Sequence, residues 1–152
     1  MPLASSSSVA PADLPALLAT LCSYENCFGP CHPQTIRLTV ALAAAYREHG
    51  DKTLALRLME RAVADADRFL ETDHELSLHA RVALRDLLLE RNVYDRAAAV
   101  QAVIVEGLTR RLGARHADTS AARARLTAIL FMTAPHKTGD LICSSDSSLR
   151  CR

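Results

Sequence analysis

The side chains best suited to chemistry in this sequence are a few histidines and cysteines. Cys22, Cys27, Cys31 and His32 read C-x4-C-x3-C-H, and thiolates beside an imidazole are the ligands zinc prefers. The spacing matches no common ligand pair, and a helix would set Cys22 and Cys27 about 140° apart around its axis. The five cysteines, at 22, 27, 31, 143 and 151, are an odd number, which argues against a disulfide framework. Buried or incidental thiols are the expectation. His74-Glu75 followed by His79 invites comparison with H-E-x-x-H, where two histidines one turn apart hold zinc and the glutamate acts as base. Here the histidines are five positions apart, so their imidazoles diverge around a helix. Neither a G-x-S-x-G elbow nor a glycine-rich phosphate loop is present, and the serines gather at the two ends. The sequence therefore predicts no catalytic residue, no metal and no cofactor.

The elements that would carry these residues are helices. The chain has 152 residues, of which 49% are apolar, with no Trp, three Phe and three Tyr. Alanine and leucine dominate the apolar share over the β-branched and aromatic residues that sheets prefer, so the expected class is all-α. A formal charge of +1 gives no electrostatic reason to expect nucleic acid or an anionic membrane as partner. No apolar run approaches the roughly 20 residues that cross a bilayer. Residues 1–11 lack the basic start and apolar stretch of a secretory signal, so a cytoplasmic location is expected. Residues 133–152, rich in Ser with Pro135 and Gly139, read as a flexible tail, which leaves 12–132 as the folded domain.

Within that domain one period recurs. His32, His74 and His116 stand 42 residues apart, and Leu42, Leu84 and Leu126 share a register, as do Tyr46, Leu88 and Leu130. Each period splits into two helices. The first spans about 33–49 and stops at Gly50-Asp51, where glycine can take the left-handed conformation and aspartate can cap the next helix. The second spans about 52–70, with Leu54, Leu58, Ala62 and Ala66 as its expected apolar stripe. The pattern repeats over about 75–91 and 94–112, with a turn at Asn92. A half unit remains at each end, about 12–28 and 117–132. Each hairpin would leave apolar flanks that only a neighbouring hairpin can cover, so the prediction is an α-solenoid of antiparallel helix pairs.

The run His32, Leu42, Ala43, Tyr46, Gly50, Ala55 and Ala62 resembles the tetratricopeptide repeat of the longer, kinesin-light-chain type. The second unit keeps His74, Leu84 and Ala97, and the third keeps His116 and Leu126. The resemblance implies a protein-interaction module whose first-type helices line a concave face that holds a peptide or helix of a partner. By the usual register that face would present Arg37, Val40, Ala44, Arg47 and Glu48, then His79, Val82, Asp86, Leu89 and Glu90, then Ala121, Ala124, Ala128 and Phe131. One departure stands out. The paired asparagines with which kinesin-light-chain repeats clasp a ligand backbone are replaced by Val40-Ala41, Val82-Ala83 and Ala124-Arg125.

Two further expectations complete the reading. The recurrence of the histidines at one position suggests a hydrogen bond at a helix start in preference to pH sensing. Arg110, Arg111, Arg115, Arg123 and Arg125 mark a solvated helix junction, or else a dock for an acidic partner. Besides the interaction module, the incomplete ends support self-association: Leu17, Leu18, Leu21, Leu126, Leu130, Phe131 and Met132 would remain uncovered unless another copy stacks on them. The fading of the motif along the chain supports a third reading, a remnant of a longer array with no partner.

Overall fold

In a computed structural model, which describes residues 14–137, those residues form six α-helices and, among them, no strand. They are α1 (Leu14–Phe28), α2 (Pro33–Glu48), α3 (Lys52–Phe69), α4 (Glu75–Glu90), α5 (Tyr94–Leu112) and α6 (Ala117–Lys137). The helices begin and end within two residues of the sequence-based bounds, except that α6 continues five residues past Met132. The expected segment 1–11 and the rest of the expected tail, with Cys143 and Cys151, lie outside the described residues. The chain divides into two compact units between Ala83 and Leu84, inside α4.

In the first unit α2 packs against both α1 and α3. Its buried residues are Thr35, Ile36, Thr39, Val40, Leu42, Ala43 and Ala45, a face wide enough to meet a helix on either side. The matching face of α3 is Ala55, Met59, Ala62 and Ala66. The expected stripe was therefore displaced by one position in the first half of this helix: Leu54 and Leu58 are only half-buried. Alanines at the contact line let two helix axes approach closely, and the larger leucines then flank the seam. In the second unit α5 packs on α6, burying Ala97, Ala98, Gln101, Ile104 and Gly107 on one side and Ala122 and Ile129 on the other.

The three histidines occupy equivalent corners. The Gln34 N–H donates to His32 Nδ1, the Leu76 N–H to His74 Nδ1 and the Asp118 N–H to His116 Nδ1, each at 3.2 Å. Each histidine carbonyl also accepts the first intrahelical bond, from Ile36, Leu78 and Ser120. The rings are thus N-caps of α2, α4 and α6, satisfying an amide that has no partner inside the helix. A second residue of the same corner was missed in the sequence although it has the same period. Thr35, Ser77 and Thr119, three places after each histidine, are all fully buried hydroxyls. Thr35 Oγ1 donates to the Gly29 carbonyl at 2.9 Å, Ser77 Oγ accepts from Arg81, and Thr119 Oγ1 donates to the Leu108 carbonyl at 3.4 Å.

The turns between paired helices are built alike. The Asp51 N–H reaches back to the Tyr46 carbonyl and the Gly50 N–H to the Arg47 carbonyl, with Gly50 at φ 89°. One period later the Val93 and Asn92 amides reach Leu88 and Leu89, with Asn92 at φ 58°. Both are the six-to-one, five-to-two closure that a left-handed residue permits. As expected, Asp51 then caps α3 by accepting the Leu54 N–H at 3.0 Å.

Candidate functional site

Where the first unit sets α2 beside the start of α4, the two helices enclose a hollow of about 460 Å³. It is lined by Arg37, Val40, Ala41 and Ala44 from α2 and by Glu75, Leu76 and His79 from α4. Val40 and Leu76 are buried and form the floor, while Arg37, Glu75 and His79 are exposed at the rim. The spacing of Arg37, Val40, Ala41 and Ala44 is what puts them on one face, since positions three and four apart lie above one another on a helix. His74 and His79 separate as their spacing requires: the first caps α4, and the second stands on its exposed side at the hollow. Glu75 and Leu76 follow directly from the cap, so the corner that starts α4 also positions one wall.

The structure brings together three of the nine residues singled out for binding, Arg37, Val40 and His79, along with Ala44 of the wider expected face. Arg47, Glu48 and Val82 also belong to the first unit but do not line the hollow: Arg47 and Val82 are half-buried, and Glu48 is exposed. Asp86, Glu90 and Phe131 belong to the second unit. Glu90 is exposed, Phe131 is 82% exposed, and Asp86 accepts from the Nε of its neighbour Arg85 at 2.9 Å. Ala41, Glu75 and Leu76 were not anticipated. A register of exposed positions could not supply Leu76, because a floor is defined by how two helices pack.

The second unit holds a buried polar chain where the first unit is apolar. Arg85 Nη1 donates to Gln101 Oε1 at 2.8 Å, and Gln101 Nε2 donates to the Ala122 carbonyl at 2.8 Å, tying α4, α5 and α6 together. One period earlier the same two positions hold Ala43 and Met59, both buried and apolar. In place of that apolar pair stand an arginine and a glutamine joined by one hydrogen bond, with Asp86 and the Ala122 carbonyl taking their other donors. Among the described residues no buried side-chain nitrogen or oxygen lacks a hydrogen-bond partner.

The thiols and the arginines find ordinary surroundings. Cys22 and Cys27 are exposed, and Cys31 lies 4.0 Å from Asp65 Oδ1. Among the described residues no three His, Cys, Asp or Glu side chains are grouped to hold a metal ion. Arg110, Arg111, Arg115, Arg123 and Arg125 are all exposed around the α5–α6 junction, where Arg110 pairs with Glu106 and Arg123 reaches the Ala114 carbonyl. No described helix is long and apolar enough to cross a membrane.

Helix pairs on a 42-residue period, each first-type helix capped by the same residue and each pair closed by the same turn, define the tetratricopeptide-like repeat fold, an all-α solenoid. Solved structures agree. The crystal structure of the nearly identical TPR-like repeats of a Podosopora anserina protein described as a kinesin light chain superposes with a TM-score of 0.70 at 19% identity, covering 80% of this chain and 57% of that one. A variant of those repeats with a glutamine replaced by methionine gives a TM-score of 0.70 at 18% identity, covering 90% of this chain and 67% of that one. At such identities the likeness is one of fold. No protein-family model matches the sequence, and no curated protein does.

Proposed function

We propose that this chain is a non-enzymatic protein-interaction module that holds a segment of a partner protein against the face made by its first-type helices. The observation that supports this reading is the hollow between α2 and α4, an apolar floor with charged groups at its rim, both walls of which come from first-type helices. Arg37, Val40, Arg47, Glu48, His79, Val82, Asp86, Glu90 and Phe131 are the residues assigned to that face, with Ala41, Glu75 and Leu76 added by the geometry. Charges of both signs along it favour a ligand that carries both over a purely acidic or basic tail. The test is affinity capture with the intact chain and with the double variant Arg37→Glu, Arg47→Glu side by side. Loss of specific partners from the variant is the expected result, and undiminished capture removes this face as the site.

A second reading, self-association through the end helices, is favoured by one turn of α6, where Leu130, Phe131 and Met132 are at least half exposed. The rest of α6 does not favour it. The positions that α2 buries as Ile36, Thr39, Val40 and Ala43 are Ser120, Arg123, Ala124 and Thr127 in α6, and all four are exposed. Such a face offers a second copy little apolar surface to cover. At the other end α1 is better covered than expected, because it packs on α2: Leu21 is buried and Leu17 half-buried, leaving Leu18 exposed. Light scattering at two concentrations separates the readings, since the mass of a single chain at both excludes self-association.

A further inference from the structure

We infer that the hollow between α2 and α4 takes an amphipathic α-helix of the partner, one that seats a Leu or Met side chain on Val40 and Leu76 and turns a carboxylate toward Arg37 and His79. This rests on the reading of that face as the docking surface and adds the form of the docked segment. An extended segment presents unpaired N–H and C=O groups along its whole length, and those turned to the floor lose water and need partners there. The floor has none to offer. Val40, Ala41, Ala44 and Leu76 carry no polar side-chain atom, and the amide of Leu76, which the helix start would otherwise leave open, is already taken by His74 Nδ1. A helix satisfies its own backbone and brings only side chains to such a surface, anchored at positions three and four apart.

The rim chooses the charge. Arg37 and His79 are exposed with no hydrogen-bond or ion-pair partner among the described residues, whereas the third rim group, Glu75, has one. The rim therefore offers two donor groups to a partner's acceptor, and a carboxylate three or four positions from the apolar anchor falls on the same side of a docked helix. A hollow of about 460 Å³ has room for anchoring side chains between helices, not for a folded domain.

The experiment selects binders to the full chain from two displayed libraries of equal size. One holds helix-forming segments of about four turns with randomised faces, and the other holds segments kept extended by alternate prolines. Each pool is counter-selected on Ala44→Glu, which puts a charge into the hollow from a helix-compatible residue; Ala41→Glu serves the same purpose if that variant loses its circular dichroism spectrum. The expected result is hollow-dependent clones from the helical library, with Asp or Glu three or four positions from Leu or Met. Their affinity should fall about tenfold or more in Arg37→Glu and survive in Arg37→Lys. Hollow-dependent clones only from the extended library overturn the inference and leave the docking surface standing. An absence of hollow-dependent clones in both pools overturns the inference and the proposed surface together.

Discussion

A histidine at the start of a helix is an unusual choice where Ser, Asp or Asn would serve, yet here it stands at all three corners with its Nδ1 turned onto the same amide. That geometry places the proton of the neutral ring on Nε2. His32 does more, stacking on Phe28 with ring centroids 4.9 Å apart. Replacing His74 by Ala is expected to destabilise the fold by about 1 kcal/mol, whereas His74→Asp, which keeps an acceptor, should stay near the parent. Thermal unfolding followed by circular dichroism reads both, and equal losses for Ala and Asp would show that the ring acts through packing instead. A single cooperative transition in the parent would also speak against the chain being a remnant. The Arg85–Gln101 pair gives a sharper test. Gln101→Met alone leaves Arg85 Nη1 buried without its acceptor, while Asp86 still holds Nε and Nη2, and should cost about 1–2 kcal/mol. Arg85→Ala with Gln101→Met restores the pair that the first unit uses and should recover most of that loss. A double variant as unstable as the sum of its singles would mean that the two side chains are not coupled.

Helix limits were legible because their signals are local: Pro33 at a first turn, Asp51 at a cap, Gly50 and Asn92 where the chain must turn left-handed. Asn92 is the one described residue other than glycine with positive φ, and it takes the place of Gly50 in the next period. Because an L side chain is strained there, Asn92→Gly should leave stability unchanged or raise it by up to about 1 kcal/mol, and Gly50→Ala should lower it by about the same amount. Chemical denaturation midpoints at constant slope check both; a loss in Asn92→Gly would mean that the asparagine side chain, whose Oδ1 accepts from Tyr94 Oη at 2.6 Å, contributes more than its backbone costs. What local signals could not supply was the rotation of a helix about its own axis. Along α3 the stripe that starts from Leu54 and Leu58 meets the Ala55, Met59, Ala62, Ala66 seam only at Ala62 and Ala66, because close approach reserves the first half of that contact for Ala55 and Met59 and leaves the leucines at its flank.

At the scale of the molecule, an apolar share dominated by alanine and leucine carried the all-α class, and the 42-residue rhythm carried the pairing of helices and the equivalence of the three corners. It would also have yielded Thr35, Ser77 and Thr119, whose buried hydroxyls keep the same period. The candidate site was less legible. Arg37, Val40 and His79 followed from helix register, but Glu75 and Leu76 enter only because α4 begins beside α2, and that juxtaposition arises from packing between segments more than thirty residues apart. A sequence pattern shows which faces are free to bind; it does not show where two of them leave a hollow. The claim on which the functional account depends is that this hollow is where a partner sits. Its most direct measurement is photo-crosslinking of the full chain in cell extract, with a benzophenone side chain placed at Ala44 in the hollow or at Ala64 on the exposed side of α3. Adducts of defined mass from position 44 and none from position 64 are predicted, and adducts from position 64 alone would contradict the account.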